Sequence, residues 1–230
     1  MTFKRNLASL GLVAGSLLAI ASPGQAASLT SDVFGSGGIS FDQDTTLAFD
    51  FLESRGKYRS NFGVYVEEGG DRSLVETLFS EVGAGYDPGS TDASNDWLGT
   101  CGVTVLDCAA NFTFRAGQTY FFGLTGANGT VFSDGLSTVF RYASDGSYTY
   151  NTQGPNWIQN NPGVTPDRKT VAVGSQEVLV AINDSYEADV DVNDFIVKAS
   201  PVERVPEPSA LAGLAIAASA WAFSRRRAFS

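Results

Sequence analysis

Between residues 27 and 200 the chain alternates short apolar stretches with clusters of Gly, Asn, Asp and Pro, a pattern of strands and turns rather than helices. Residues 46–52 are the clearest case. Leu47, Phe49 and Phe51 fall on one side and Ala48 and Asp50 on the other, the two-residue period of a half-buried strand. The same reading predicts strands at 63–67, 74–79, 103–106, 111–115, 119–124, 137–142, 147–150, 170–173, 177–182 and 195–199. Turn signals separate them at Glu68-Gly69-Gly70-Asp71, Ala116-Gly117, Asn128-Gly129 and Asp145-Gly146. Residues 151–167, rich in Asn, Pro and Gly, predict one long surface loop. No amphipathic helix and no repeat of fixed period is visible, which argues against a propeller or solenoid. The expected fold is all-β: a two-sheet antiparallel sandwich, jelly-roll-like, of about ten to twelve strands.

Both chain ends break this pattern. Lys4 and Arg5 precede an apolar, Ala- and Leu-rich run from Leu7 to Ile20, and Ser22-Pro23-Gly24-Gln25-Ala26 then supplies a helix break and small residues. These are the three zones of a secretory signal, with cleavage expected after Ala26 or, alternatively, Ala27; the rival reading is a permanent N-terminal anchor. At the other end, Pro206-Glu207-Pro208 leads into an apolar run from Ser209 to Ser224, closed by Arg225, Arg226 and Arg227. As a helix that run spans roughly 24 Å, short against a hydrocarbon core of about 30 Å. The arginines should stay cytoplasmic, placing the preceding domain outside the inner membrane. The expected organisation is therefore a signal peptide over 1–26, a β-sandwich over 27–200 and a sorting signal over 201–230.

The ordered set of Pro206, Glu207 and Pro208, one membrane helix and a terminal basic cluster resembles the PEP-CTERM sorting domain of exopolysaccharide-producing Gram-negative bacteria and cyanobacteria. The resemblance covers only about 25 residues at the chain end. It implies recognition by an exosortase, a membrane cysteine protease-transpeptidase, with processing near the Pro-Glu-Pro motif and only transient anchoring in the inner membrane. The domain would then stand on the cell envelope surface or in the extracellular matrix. A generic C-terminal anchor is the alternative.

Composition narrows the chemistry. The formal charge is −10, and setting aside the five positive charges of the two terminal segments leaves about −15 on the central domain. Such a surface repels nucleic acid and attracts cations, so no nucleic-acid partner is expected. Histidine is absent, which excludes Ser-His-Asp and Cys-His catalysis and any His-based zinc site. Cys101 and Cys108 are the two cysteines of the exported portion. An oxidising compartment and an even count predict a disulfide, whose loop of about eight residues would contribute roughly 2.5 kcal/mol. A catalytic or metal-binding pair is the rival reading.

The densest polar chemistry lies at residues 183–194. In an extended chain Asp189, Asp191 and Asn193 project to one face about 7 Å apart, with Asp184, Glu187 and Asp194 close in sequence. Like charges 4 Å apart repel by about 4 kcal/mol at an effective dielectric of 20, so the cluster is either solvated or held by a cation. Oxygen-only ligands suit Ca²⁺, and the expected metal ligands are Asp184, Asp189, Asp191, Asn193 and Asp194. The spacing is not that of an EF-hand. Residues 87–96 form a second polar stretch with the same two readings, as ligands or as an ordinary loop. Trp97 and Trp157 could stack on sugar rings or pack over the sandwich edge.

The acidic stretch also resembles the end of an uncharacterised β-sandwich domain common among PEP-CTERM proteins. That domain closes with an Asp-x-Asp-x-Asn-Asp run, matched by Asp189, Asp191, Asn193 and Asp194, and then a hydrophobic strand, matched by Phe195-Ile196-Val197. Its aromatic opening resembles Arg59-Ser60-Asn61-Phe62-Gly63-Val64-Tyr65. The usual Phe-Glu-Asp before the turn is replaced here by Ala181-Ile182-Asn183-Asp184, which puts one ligand in doubt.

The resulting expectation is an exported, non-catalytic surface or matrix protein, stabilised by calcium. The alternatives are a carbohydrate-binding module acting on exopolysaccharide and a carboxylate-based glycoside hydrolase or lyase.

Overall fold

The computed structural model describes residues 29–202 apart from 36, 57–58, 84–96, 128, 135–138, 153–160 and 185–191. All of them belong to one compact unit, Ala26–Glu203. Both predicted address segments, with Pro206, Glu207, Pro208, Arg225, Arg226 and Arg227, lie outside the described residues. Among those described, no helix is long and apolar enough to cross a membrane.

The elements among the described residues are a 3-10 turn at Ser31–Phe34 and ten strands: β1 (Thr45–Gly56), β2 (Asn61–Glu68), β3 (Asp71–Ser80), β4 (Trp97–Gly99), β5 (Ala109–Phe114), β6 (Tyr120–Gly126), β7 (Gly129–Phe132), β8 (Phe140–Asn151), β9 (Arg168–Ile182) and β10 (Phe195–Pro201). They form a sandwich of two antiparallel sheets. One runs β4-β1-β10-β9-β8, with β5 also paired to β1; the other runs β3-β2-β6-β7. Thus β4 and β5 share one edge of β1, β5 against Thr45–Asp50 and β4 against Ser54–Gly56. The Cys101–Cys108 disulfide, with Cα atoms 5.6 Å apart, ties the loop between them.

The alternation read in β1 places Leu47, Phe49 and Phe51 in the core. Facing them from the smaller sheet are Phe62, Val64, Phe122 and Leu124. Phe122 sits at the centre, with ring centroids 5.2 Å from Phe62, 5.5 Å from Phe34 and 5.8 Å from Phe49. Such stacked, tilted and edge-on aromatic pairs each add about 0.5–1.5 kcal/mol beyond area burial. Gly69 and Gly70, both at positive φ, make the two-residue turn joining β2 to β3.

Three predictions are corrected. Residues 103–106 form no strand: Gly102 turns at φ +79°, Thr104 hydrogen-bonds back to Thr100, and Val105 makes only isolated bridges to Glu81 and Cys101. Residues 97–99 and 129–132 do pair, although both stretches are too short to carry a period. Finally, the strand pairs predicted either side of Asp145-Gly146 and of residues 174–176 are the continuous strands β8 and β9. The breakers there bend the hairpin instead of ending it.

That bend determines the architecture. Phe140 and Phe195 both pair with Ile182, on opposite sides. A straight β8 would carry Asn151 about 36 Å away from Phe140 along the strand. Yet the Asn193 side-chain amide, two residues before Phe195, donates to the Asn151 carbonyl at 2.7 Å. The distal half of the hairpin must therefore fold back over the outer face of the six-stranded sheet. The fold occurs where the register slips between Ser144↔Val178 and Gly146↔Val173, with Asp145 at φ +58° and Gly146 at φ +104°. Glu177 fixes the bend, accepting from the Gly174 N–H at 2.8 Å and pairing with Lys198 of β10 at 2.9 Å. Tyr148, Tyr150, Val171 and Val173 of the folded-back half then pack on Leu52, Leu179, Ala181, Val192 and Ile196. The larger sheet is consequently apolar on both faces, like a buried sheet, and β9 reads as a continuous buried run from Val178 to Ile182.

Candidate functional site

The end of the folded-back β8, at Asn151, meets Asn193 in the predicted acidic stretch. Of the five expected ligands, Asp189 and Asp191 lie outside the described residues; Asp184, Asn193 and Asp194 are placed. Asp184 follows β9 and Asp194 precedes β10, so the pairing of those strands brings the two together: the Asp184 N–H donates to Asp194 Oδ2 at 2.8 Å. The Asp194 carbonyl accepts from the Arg55 N–H of β1 at 3.0 Å. Among the described residues no group of three or more His, Cys, Asp or Glu side chains is placed to hold a metal.

Asn193 differs from its neighbours. It is fully buried, and its Oδ1 has no hydrogen-bond partner among the described residues. Its orientation is determined by chemistry: the Asn151 carbonyl can only accept, so the amide nitrogen must face it and the oxygen is left over. A buried acceptor without a donor costs about 1–3 kcal/mol. An amide oxygen is also an ordinary calcium ligand.

Beside this turn lies a charged cluster that the sequence did not reveal. A β-bulge after Phe51 turns Glu53 to the outer face, where it is 4% exposed. Its carboxylate accepts from Arg55 Nε at 3.0 Å and pairs with Lys169 Nζ from the folded-back tip. Arg55 also donates to the Thr152 carbonyl at 3.0 Å. Burial by itself would raise the Glu53 pKa; Lys169, Tyr150 and Arg55 outweigh it and hold the carboxyl below its ordinary value. Burial first, and the Glu53 charge second, push the Tyr150 phenol far up. The tip is thus clasped to the body by one half-buried ion pair and two hydrogen bonds to main-chain carbonyls. The only sequence signal was the slip in alternation at Leu52-Glu53; Lys169 lies 116 residues from its partner.

The outward face of the smaller sheet carries a second cluster. Gly63 and Gly123 pair across β2 and β6, and a Cβ at Gly123 would collide with the Tyr65 ring. Tyr65 meets Phe132 edge-on at 5.0 Å and hydrogen-bonds Thr125 at 2.9 Å. The Arg72 guanidinium lies 3.9 Å over Phe121 and 4.8 Å from the centre of Phe132, oriented by Asp134 through both oxygens. Of the predicted sugar-stacking residues, Trp157 and the Trp97 side chain lie outside the described set, as do residues 87–96. No protein-family model matches the chain, and no curated protein matches it in sequence.

Proposed function

We propose that this chain is an exported, non-catalytic cell-surface or extracellular-matrix protein, processed at its tail by an exosortase-type protease and stabilised by calcium at the acidic turn. The export half rests on the reading of both ends and is supported by the Cys101–Cys108 disulfide, a bond that persists in oxidising compartments. The calcium half is supported by the buried Asn193 oxygen, which has no hydrogen-bond partner among the described residues, and by the approach of Asp184 and Asp194, whose main chain and side chain hydrogen-bond. Asp189 and Asp191 complete the proposed ligand set. We read the sandwich as jelly-roll-like because its first and last strands pair antiparallel in the middle of one sheet, although β8, β9 and β10 then follow as consecutive neighbours.

Thermal melting with calcium and with EDTA tests the second half. The expected outcome is a lower midpoint under chelation, since a ligand held only by the folded state stabilises by mass action. An unchanged midpoint, with no calcium retained, rejects it. Pulse-labelling in the native host tests the first half, and recovery of the unprocessed chain from the soluble interior rejects it.

The Tyr65–Phe132–Arg72 face favours a second reading, a carbohydrate-binding module acting on exopolysaccharide. Aromatic rings with adjacent hydroxyls and a fixed guanidinium are groups that bind sugar rings and their substituents. Retention on native exopolysaccharide that is lost in Tyr65→Ala would support it; no retention removes it.

A further inference from the structure

We infer that the folded-back half of the β8–β9 hairpin exchanges between two copies of this chain, each copy's hairpin covering the outer face of the other's larger sheet. The partner is a second copy, and the inference needs neither calcium nor a glycan.

The occupant of that face is already visible. The apolar surface of Leu52, Leu179, Ala181, Val192 and Ile196 is covered by Tyr148, Tyr150, Val171 and Val173 of the same chain, so the same segment of a second copy fits it by identity. Among the described residues the strand pairs of the covering half are internal to it, from Gly146↔Val173 to Asn151↔Arg168. No strand ladder joins it to the sheet beneath. Apolar packing, the Lys169–Glu53 pair, and the hydrogen bonds from Arg55 to Thr152 and from Asn193 to Asn151 tie it there. None of these contacts requires both partners to belong to one chain.

The geometry also closes. Along β9 the covering residues Val171 and Val173 and the covered residues Leu179 and Ala181 are separated by even numbers of positions, so in an extended strand they fall on one side. Unbent, the ribbon presents a single apolar face whose two halves complement each other. Two such ribbons laid face to face about a two-fold axis cover both halves at once, the self-complementary arrangement of a symmetric dimer. The bend is the weak point. Asp145, a non-glycine residue, is held at φ +58°, and a straight ribbon returns it to backbone space that L residues adopt without strain. Short strained hinges favour exchange between copies. Two terms oppose it. One is the Gly174 N–H bond to Glu177, which belongs to the bend. The other is the tether, which presents the intramolecular partner at an effective concentration on the order of millimolar. Dilute chains should therefore close singly, and crowded ones exchange.

Refolding the full chain from urea at low and at high concentration, followed by separation by size, tests this. The expected result is a single copy after dilute refolding and a slowly dissociating dimer after concentrated refolding. In a dimer refolded from a mixture of isotope-labelled and unlabelled chains, isotope-filtered NMR should show contacts between copies. They should join the methyl groups of Leu52, Leu179 or Ile196 in one copy to the rings of Tyr148 or Tyr150 in the other. A dimer joined through any other surface lacks them. The hinge variant Asp145→Val with Gly146→Val, which disfavours positive φ, should dimerise at a concentration about ten-fold lower. A chain that stays single at the highest concentration, a dimer without those contacts, or a folded hinge variant no more dimeric than its parent overturns the exchange. Should the variant fail to fold, the labelled mixture decides alone.

Discussion

Single residues in this domain are constrained most tightly where carboxylates are buried. Glu81, 9% exposed, accepts from the Ser54 hydroxyl and from the Ser60 N–H at 2.6 Å. Its two oxygens thereby join β1, the start of β2 and the end of β3. Gly99 lies against this group: a Cβ there would collide with Ser54 Oγ and come within 2.9 Å of Glu81 Oε1. Gly99→Ala should therefore destabilise by about 1–3 kcal/mol, the usual cost of overpacking, read as a lower urea midpoint with unchanged slope. Ser54→Ala on the same background should recover part of the loss by removing the colliding atom. The glycine's need here is for space, not backbone freedom, and nothing in its neighbours' identities announces it.

At the scale of elements, the long β8–β9 hairpin is the unusual one, because its middle bends and its outer half becomes a third layer. Gly146 at φ +104° occupies backbone space that L side chains rarely adopt. Gly146→Ala should cost about 1 kcal/mol or more, and the loss should concentrate in the hairpin. Hydrogen exchange resolved by segment checks this: faster exchange beyond the bend, with the sandwich core little changed. The edge strand β3 shows the opposite use of irregularity. Leu74 and Val75 are about half exposed there, at 52% and 48%. Two register shifts against β2, at Phe62/Gly63 and Val64/Tyr65, kink the strand. Bulges of this kind make an edge a poor template for a second chain.

For the whole molecule, the acidic surface and the clasp set the response to pH. Burial raises the Glu53 pKa, but Lys169, Tyr150 and Arg55 lower it more. At the bend, Lys198 first and the Gly174 N–H second lower Glu177. A carboxyl depressed in the folded state contributes stability that is complete above its unfolded value, here 4.5, and is lost as the pH falls through the folded value. The domain should keep a flat stability between pH 5 and 7 and lose it below about 4.5, the hairpin first. Glu53→Gln should be less stable at pH 7 and show a shallower acid loss, measured as urea midpoint against pH; an equal slope in both proteins would remove Glu53 from the account.

The sequence by itself determined the class of fold, because alternation such as Leu47-Ala48-Phe49-Asp50-Phe51 is a local property and a half-buried strand is its direct physical consequence. It also pointed to the Cys101–Cys108 bridge, since two cysteines close in the chain have one partner each. Only the tertiary structure decided that Asp145-Gly146 bends a strand rather than ending it, that Lys169 reaches Glu53, and that Asn193 spans the turn and the hairpin tip. The reason is range. Turn residues state that the chain must change direction, whereas how far it folds back is set by the apolar face of Leu52, Leu179 and Ile196 waiting to be covered, residues far apart in sequence that become one surface only after the sheet has formed.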